Sequence, residues 1–139
     1  MVPIDRIAFL QNVPLFAGMS SQELLHVAEI VKEVNFPSNT TIIREDDIGE
    51  YMFILVDGEV LIHRGSAQLG RLGSKDFFGE MSILDRGPRS ASVTTLSNCQ
   101  LLRIEERDFW QILLVHSTLA VSLVRILAQR LRQILASER

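Results

Sequence analysis

The residues best suited to chemistry lie in one stretch, FGEMSILDRGPRSASV, which spans residues 78–93. Glu80 supplies a carboxylate and Arg89 supplies a guanidinium. Two glycines permit backbone conformations that are closed to other residues, and a proline fixes φ. The stretch therefore lacks the alternation of a strand and favours a local excursion of the backbone.

This pair of charges suits a ligand that carries both a phosphate and a hydroxyl. Residues 81–84 can form a helical turn, whose first amides have no partner within the helix and attract an anion. Arg89 adds a charge-assisted bond to phosphate oxygens. Glu80 would repel the phosphate, so its carboxylate is useful only beside a hydroxyl donor, which a sugar phosphate provides. The alternative is a surface ion pair between Glu80 and Arg89, worth roughly 0–1 kcal/mol.

No other part of the sequence predicts chemistry. His26, His63 and His116 lie far apart with no cysteine or carboxylate at ligand spacing, so no metal site is expected. There is no P-loop and no nucleophile elbow, and we do not expect an enzyme. Cys99 is the single cysteine, which excludes an internal disulfide. It is expected to be a small apolar residue within a strand, in a reducing compartment.

Composition predicts one soluble globular domain over residues 1–139, with 47% hydrophobic and 22% charged residues. The net charge of −3 argues against a protein that grips nucleic acid. The amino terminus lacks the pattern of a signal peptide, and the longest apolar region, residues 112–128, is interrupted by polar residues. We therefore expect a cytoplasmic location.

The hydrophobic period predicts three segments. Residues 20–33 have helical spacing, with Ser20 and Glu23 as a capping box. From residue 40 to 105 the pattern changes to short β-rich runs, and Asp57-Gly58 predicts a hairpin turn. The runs are TTIIR, YMFILV, EVLIHR, QLGRL, SASVTTL and CQLLRI.

Helical spacing returns after residue 105. Phe109, Ile112 and Leu113 predict a short helix, and a second, amphipathic helix is expected from Ser117 towards Ser137. The fold class is mainly β with flanking helices: an antiparallel β-roll of the jelly-roll kind with an amino-terminal helix and two carboxy-terminal helices. We place the amino-terminal helices at 1–35, the roll at 36–105 and the carboxy-terminal helices at 106–139.

Residues 78–93 closely resemble the phosphate-binding cassette of the cyclic nucleotide-binding domain family, which is found in catabolite-activator-like regulators, cyclic-nucleotide-dependent kinases and gated channels. The motif is FGEMSIL followed by PRSASV. VPLFAGMSSQEL, FPSNTTIIREDDIGEYMFILVDGEV and CQLLRIEERDFWQIL are similar to flanking parts of the family. The resemblance covers nearly the whole chain.

The resemblance implies that Glu80 accepts the ribose 2′-hydroxyl and that Arg89 pairs with the cyclic phosphate. Other cassette residues expected at the ligand are Phe78, Gly79, Met81, Ser82, Ser90 and Ala91. Ile62, Leu69 and Val93 are expected to form an apolar wall against the base. Arg130 and Ile134 match contact positions on a last helix that closes over the base. One departure is Asp46, where the family usually has glycine.

The implied function is a regulatory sensor that binds a cyclic nucleotide, cAMP rather than cGMP, and couples binding to movement of its last helix. Ser90 follows the arginine, where threonine accompanies cGMP and alanine accompanies cAMP in the family. No cofactor and no direct DNA binding are expected. The chain is either free-standing or the regulatory domain of a channel, transporter or kinase, and a homodimer through the last helix is open.

Two other functions are alternatives to cyclic nucleotide binding. One is a nucleotide-independent interaction module on the same roll, against which the presence of both Glu80 and Arg89 counts. The other is a cupin-like enzyme, which would need clustered metal-binding histidines.

Overall fold

The structure of the protein is a computed structural model, and it describes residues 5–137. In chain order the elements are α1 (Arg6–Gln11), a 3₁₀ turn (Pro14–Phe16), α2 (Ser21–Ile30), β1 (Lys32–Phe36), β2 (Thr41–Ile43), β3 (Tyr51–Asp57), β4 (Val60–Arg64), β5 (Ala67–Leu72), β6 (Phe77–Phe78), α3 (Glu80–Asp85), β7 (Ser92–Thr95), β8 (Cys99–Glu105), α4 (Glu106–Val115) and α5 (Ser117–Ser137). They form two compact units. One is residues 30–109, and the other joins the chain's two ends, up to residue 29 and from residue 110.

The unit of residues 30–109 is an antiparallel β-roll made of two four-stranded sheets, ordered β1-β8-β3-β6 and β2-β7-β4-β5. This confirms the predicted fold class. Side chains from both sheets form the core of this unit: Ile43, Phe53, Leu55, Val60, Phe78, Val93, Cys99 and Leu101. Cys99 is a buried strand residue, as predicted.

The sequence pattern missed the first strand. The helical spacing predicts a helix to residue 33 and a roll that starts at 36, but α2 ends at Ile30 and β1 begins at Lys32. β1 is held by antiparallel pairing with β8, from Lys32↔Arg103 to Phe36↔Cys99. That pairing partner is distant in sequence, so local periodicity could not indicate it.

The hairpin predicted at Asp57-Gly58 is also wrong. β3 pairs with β8 and β6, whereas β4 pairs with β5 and β7. The turn therefore carries the chain from one sheet to the other. Gly58 does have the positive φ that the prediction required, +102°, and a Cβ there would lie 2.6 Å from the Asn98 carbonyl oxygen.

The unit formed by the chain ends is helical. The predicted capping box of α2 is confirmed, because the Ser20 amide donates to Glu23 Oε1 at 3.0 Å and the Glu23 amide donates to Ser20 Oγ at 3.2 Å. Arg6 Nη1 donates to the Ala28 carbonyl at 3.1 Å, which ties α1 to α2. Ser122 Oγ donates to the Ala17 carbonyl at 3.3 Å.

The long carboxy-terminal helix is confirmed as α5. No single helix within residues 5–137 is long and apolar enough to cross a membrane. α4 and α5 taken together have the length and apolar composition of a membrane span, but the two helices are bent by 109° at their junction.

Candidate functional site

A left-handed glycine sets the geometry of residues 78–93. After β6, Gly79 takes φ +90° and ψ 0° as the residue before α3. A Cβ at this position would lie 2.9 Å from Arg89 Nη1 and 3.0 Å from the Tyr51 carbonyl oxygen. Only glycine meets both demands without strain. The predicted helical turn is confirmed as the six residues of α3.

Arg89 is held in place by both its backbone and its side chain. Its amide donates to the Asp47 carbonyl at 2.7 Å, and its carbonyl accepts from the Asp46 amide at 2.8 Å. In the side chain, Nη1 donates to the Gly79 carbonyl at 2.6 Å and Nη2 donates to the Tyr51 carbonyl at 2.5 Å. The guanidinium is therefore oriented by fixed backbone acceptors, which is the preorganisation that an anion site requires.

Both charges of the pair are buried, with Glu80 4% and Arg89 7% exposed. The alternative of a surface ion pair is therefore wrong. Burial lowers the pKa of Arg89 from its ordinary value, and the charge of Glu80 acts in the opposite direction. The guanidinium stays protonated at neutral pH. Withdrawing such charges from water is costly, and a stability role alone rarely justifies it.

The hydroxyl of Ser82 and the backbone of Gly49 complete the surroundings of the Arg89 guanidinium. Ser82 is 6% exposed, and its Oγ has no hydrogen-bond partner within residues 5–137. A Cβ at the buried Gly49 would collide with the Arg89 guanidinium and with Ser82 Oγ. A buried hydroxyl without a protein partner, beside a buried cation, can donate to an anion.

The sequence interpretation missed Gly49 and the Tyr51 carbonyl. Both lie in or directly after the stretch EDDIGE, in which the sequence interpretation named only Asp46. The signal for Gly49 was a glycine directly ahead of a β-rich run, which often marks a close approach of another group. A backbone acceptor such as the Tyr51 carbonyl leaves no signal in the residue type.

A family model described as "Cyclic nucleotide-binding domain" matches residues 33–116. The chain belongs to this family. Its cassette, residues 78–93, lies wholly within the matched range.

Three relatives illustrate the similarity. The CRP-like cAMP-activated global transcriptional regulator of Mycobacterium tuberculosis is 28% identical over 129 residues, which make up 89% of this chain and 58% of that protein. The cAMP-dependent protein kinase regulatory subunit of Aspergillus fumigatus is 32% identical over 110 residues, or 76% of this chain and 26% of that protein. The solved structure of Thermus thermophilus Catabolite Activator Protein has a TM-score of 0.81 and 28% identity, covering 89% of this chain and 61% of that one.

The chain thus spans less than two thirds of each of these relatives. The family and its relatives are regulatory, so the chain is a regulatory binding domain and not an enzyme. The cupin-like alternative is thereby excluded. Within residues 5–137, no three or more His, Cys, Asp or Glu side chains are grouped to hold a metal ion.

The other cassette residues of the cyclic nucleotide-binding domain occupy different environments. Met81 is 55% exposed on α3, Ser90 is exposed and Ala91 is half-buried. The ring of Phe78 instead packs in the core of the roll, where it stacks on Phe53 with centroids 5.4 Å apart. Their roles at the ligand stay predictions.

The three residues of the predicted apolar wall lie on neighbouring strands of one sheet. Ile62 on β4 and Val93 on β7 are register partners, and Val93 is buried in the core. Leu69 on β5 is 54% exposed. Arg130 and Ile134 lie on α5, in the helical unit. A contact of any of these residues with a base stays a prediction.

The departure at Asp46 is accommodated by the backbone. Asp46 takes φ +71°, the left-handed geometry that glycine would adopt freely. Its amide still bonds to the Arg89 carbonyl, so the turn supports the cassette.

Proposed function

We propose that this domain binds cyclic AMP in its cassette and couples binding to movement of α5. The observation that carries the proposal is the burial of Glu80 and Arg89 together, beside the unpartnered Ser82 hydroxyl. In this proposal Arg89 and Ser82 bind the cyclic phosphate, and Glu80 accepts a bond from the ribose 2′-hydroxyl. Charge-assisted bonds to a doubly anchored guanidinium would make the phosphate the main source of affinity.

The preference for cAMP over cGMP is supported by the names of two relatives. The Mycobacterium tuberculosis regulator is cAMP-activated, and the Aspergillus fumigatus kinase subunit is cAMP-dependent. Ser90 can serve either base, so it does not oppose this choice. Titration calorimetry with both nucleotides tests the preference, and a dissociation constant for cGMP tenfold or more below that for cAMP would reverse it.

The site itself is tested with Arg89→Gln. In a thermal-unfolding assay, cAMP at a hundred times its dissociation constant should stabilise the wild type by about 2.7 kcal/mol. Arg89→Gln should lose this stabilisation. The matched control is Arg86→Gln, which removes the same charge from an exposed residue of the same loop. Equal stabilisation of both variants would contradict the assignment of Arg89.

The coupling to α5 is proposed as a population shift. A ligand moves an equilibrium only by its difference in affinity between the two states. If Arg130 and Ile134 contact the bound nucleotide, the state with α5 docked binds it better. Hydrogen exchange over residues 117–136 should then slow in the presence of cAMP. Unchanged protection in a sample shown to be saturated would refute the coupling and leave binding intact.

The wider role is a sensor that passes this movement to a partner, either as a free-standing protein or as the regulatory part of a channel, transporter or kinase. A cytoplasmic location is part of the proposal, as is the absence of direct DNA binding by these residues, which the net charge of −3 supports. The competing interaction module without nucleotide affinity predicts no stabilisation by cAMP or cGMP.

A further inference from the structure

A polar network fastens the end of the cassette to the turn between β4 and β5. Arg64, the last residue of β4, donates from Nε and Nη2 to the carbonyl of Ser90 at 3.1 and 2.9 Å. Both bonds go to a single backbone acceptor in the residue that follows Arg89. The forked geometry of a guanidinium makes this contact directional, in a way that a lysine could not reproduce.

The same turn is tied to β7 and to Glu45, which follows β2, by further contacts. The Gly65 amide donates to Glu45 Oε1 at 2.7 Å, and the Glu45 amide donates to Ser92 Oγ at 2.9 Å. His63 bridges the Gly65 carbonyl and Thr94 Oγ1 at 2.9 and 2.8 Å. The residues on either side of Arg64 are therefore held in place, and the Arg64 side chain in turn holds the carbonyl of Ser90.

We propose that Arg64 is a positioning residue that orients the Ser90 segment and thereby determines the base preference of the site. The proposal rests on the proposed function. A fixed Ser90 carbonyl fixes the peptide plane between Ser90 and Ala91 and so restricts the direction of the Ser90 Cα–Cβ bond. A cation on that carbonyl also polarises the peptide and makes the Ala91 amide a stronger donor. Loss of Arg64 would release both effects.

Arg64 is exposed, so its replacement should leave the fold intact. The control is Arg71→Gln. Arg71 is an exposed arginine on the paired strand β5, and its hydrogen-bond acceptor, Glu59 Oε1 at 3.3 Å, is not in a cassette residue. Arg64→Gln and Arg71→Gln remove the same charge, so a difference between them cannot come from net charge.

The experiment is titration calorimetry of the full chain with cAMP and with cGMP. Arg64→Gln should weaken cAMP binding about fivefold, which corresponds to about 1 kcal/mol, and should change the cAMP-to-cGMP affinity ratio about threefold. Arg64→Lys should restore part of the affinity through its charge but not the ratio, because an ammonium lacks the fork. In a Ser90→Ala background, Arg64→Gln should no longer change the ratio.

The outcomes separate the two levels of inference. If the wild type binds neither nucleotide, the proposed function fails and this inference fails with it. If the wild type binds but Arg64→Gln matches Arg71→Gln in affinity and ratio, only the role of Arg64 is overturned. An equal loss for both nucleotides overturns the specificity role, because a merely structural arginine would act in that way. A ratio change that persists in Ser90→Ala overturns the proposed route through Ser90.

Discussion

Gly49 shows how a missing side chain can serve a binding site. It is buried where a Cβ would collide with the Arg89 guanidinium and Ser82 Oγ, and its φ is not positive, so alanine is resisted by space alone. Gly49→Ala should displace the guanidinium from its carbonyl partners. We expect cAMP affinity to fall more than about tenfold, with a stability loss of about 1–3 kcal/mol.

Gly70→Ala is the matched control for this prediction. Gly70 lies on β5, its φ is also not positive, and a Cβ there would meet no heavy atom within 4 Å. This variant should bind cAMP like the wild type and have equal or slightly greater stability. Gly49→Ala with wild-type affinity would mean that the guanidinium does not need the space that Gly49 leaves.

Asp46 offers a test of backbone strain next to the same arginine. Its φ of +71° costs a residue with an ordinary side chain about 1–2 kcal/mol. Asp46→Ala should therefore lower the free energy of unfolding by about 1 kcal/mol, whereas Asp46→Gly should be neutral or stabilising. Asp47→Ala, at a neighbouring exposed position without positive φ, is the control in chemical denaturation. Equal stabilities of Asp46→Ala and Asp46→Gly would contradict this account.

The capping box of α2 predicts a pH dependence. The bond from the Ser20 amide, with smaller contributions from the Ser20 side chain and His116, holds the pKa of the Glu23 carboxyl below its ordinary value of 4.5, while partial burial acts in the opposite direction. A carboxyl with a lowered pKa in the folded state stabilises the fold above its unfolded pKa. That stabilisation is lost as the pH falls through the folded pKa.

Glu23→Gln isolates this contribution, because glutamine keeps an acceptor in the capping box without the charge. The wild type should be more stable than the variant at neutral pH, and the gap should shrink as the pH falls below 4.5. Unfolding curves across this range measure the gap. A gap that stays constant well below that pH would show that the charge of Glu23 contributes nothing.

The elements show which parts of the fold a sequence can predict. The capping box, α3 and the long helix from Ser117 follow from short-range contacts, and all three were predicted. β1 was missed because its partner β8 lies far along the chain. Asp57-Gly58 was misassigned because a glycine turn looks the same whether it closes a hairpin or joins two sheets.

The residues of the candidate site also differ in whether the sequence could predict them. Glu80 and Arg89 could be predicted, since their types and spacing carry the motif. Arg64 could not, because it contacts a backbone carbonyl. Gly49 left only the signal of a glycine ahead of a β-rich run, because its contribution is the space that a Cβ would fill.

The molecule as a whole exposes an apolar stripe along α5. On α5, Leu119 and Leu123 are buried, but a second row at heptad spacing is exposed: Val121, Val124, Ala128, Leu131 and Leu135. An apolar row at alternating spacings of three and four residues is the seam of a two-stranded coiled coil. The open question of a homodimer through the last helix therefore gains a specific surface, and we propose that a second copy of α5 covers it.

The flanking residues favour a parallel pair. Arg125 and Arg132 lie on one side of the seam, and Leu127 and Ile134 lie on the other. A parallel arrangement places each arginine stem against an apolar side chain of the partner helix, whereas an antiparallel arrangement would bring arginine to arginine. We therefore expect a parallel homodimer in sedimentation velocity at micromolar concentration.

Leu131→Glu combined with Leu135→Glu should give monomers, because like charges would meet in the seam. The control combines Gln129→Glu with Gln133→Glu, which adds the same charge at exposed positions off the seam and should leave the dimer intact. If the wild type sediments as a monomer, or if both double variants dissociate equally, α5 does not dimerise through this row.

Because Ile134 flanks the seam and is also a predicted nucleotide contact, a dimer would constrain the helix whose movement is proposed to report binding. Nucleotide affinity should then depend on protein concentration in the wild type and not in the monomeric variant.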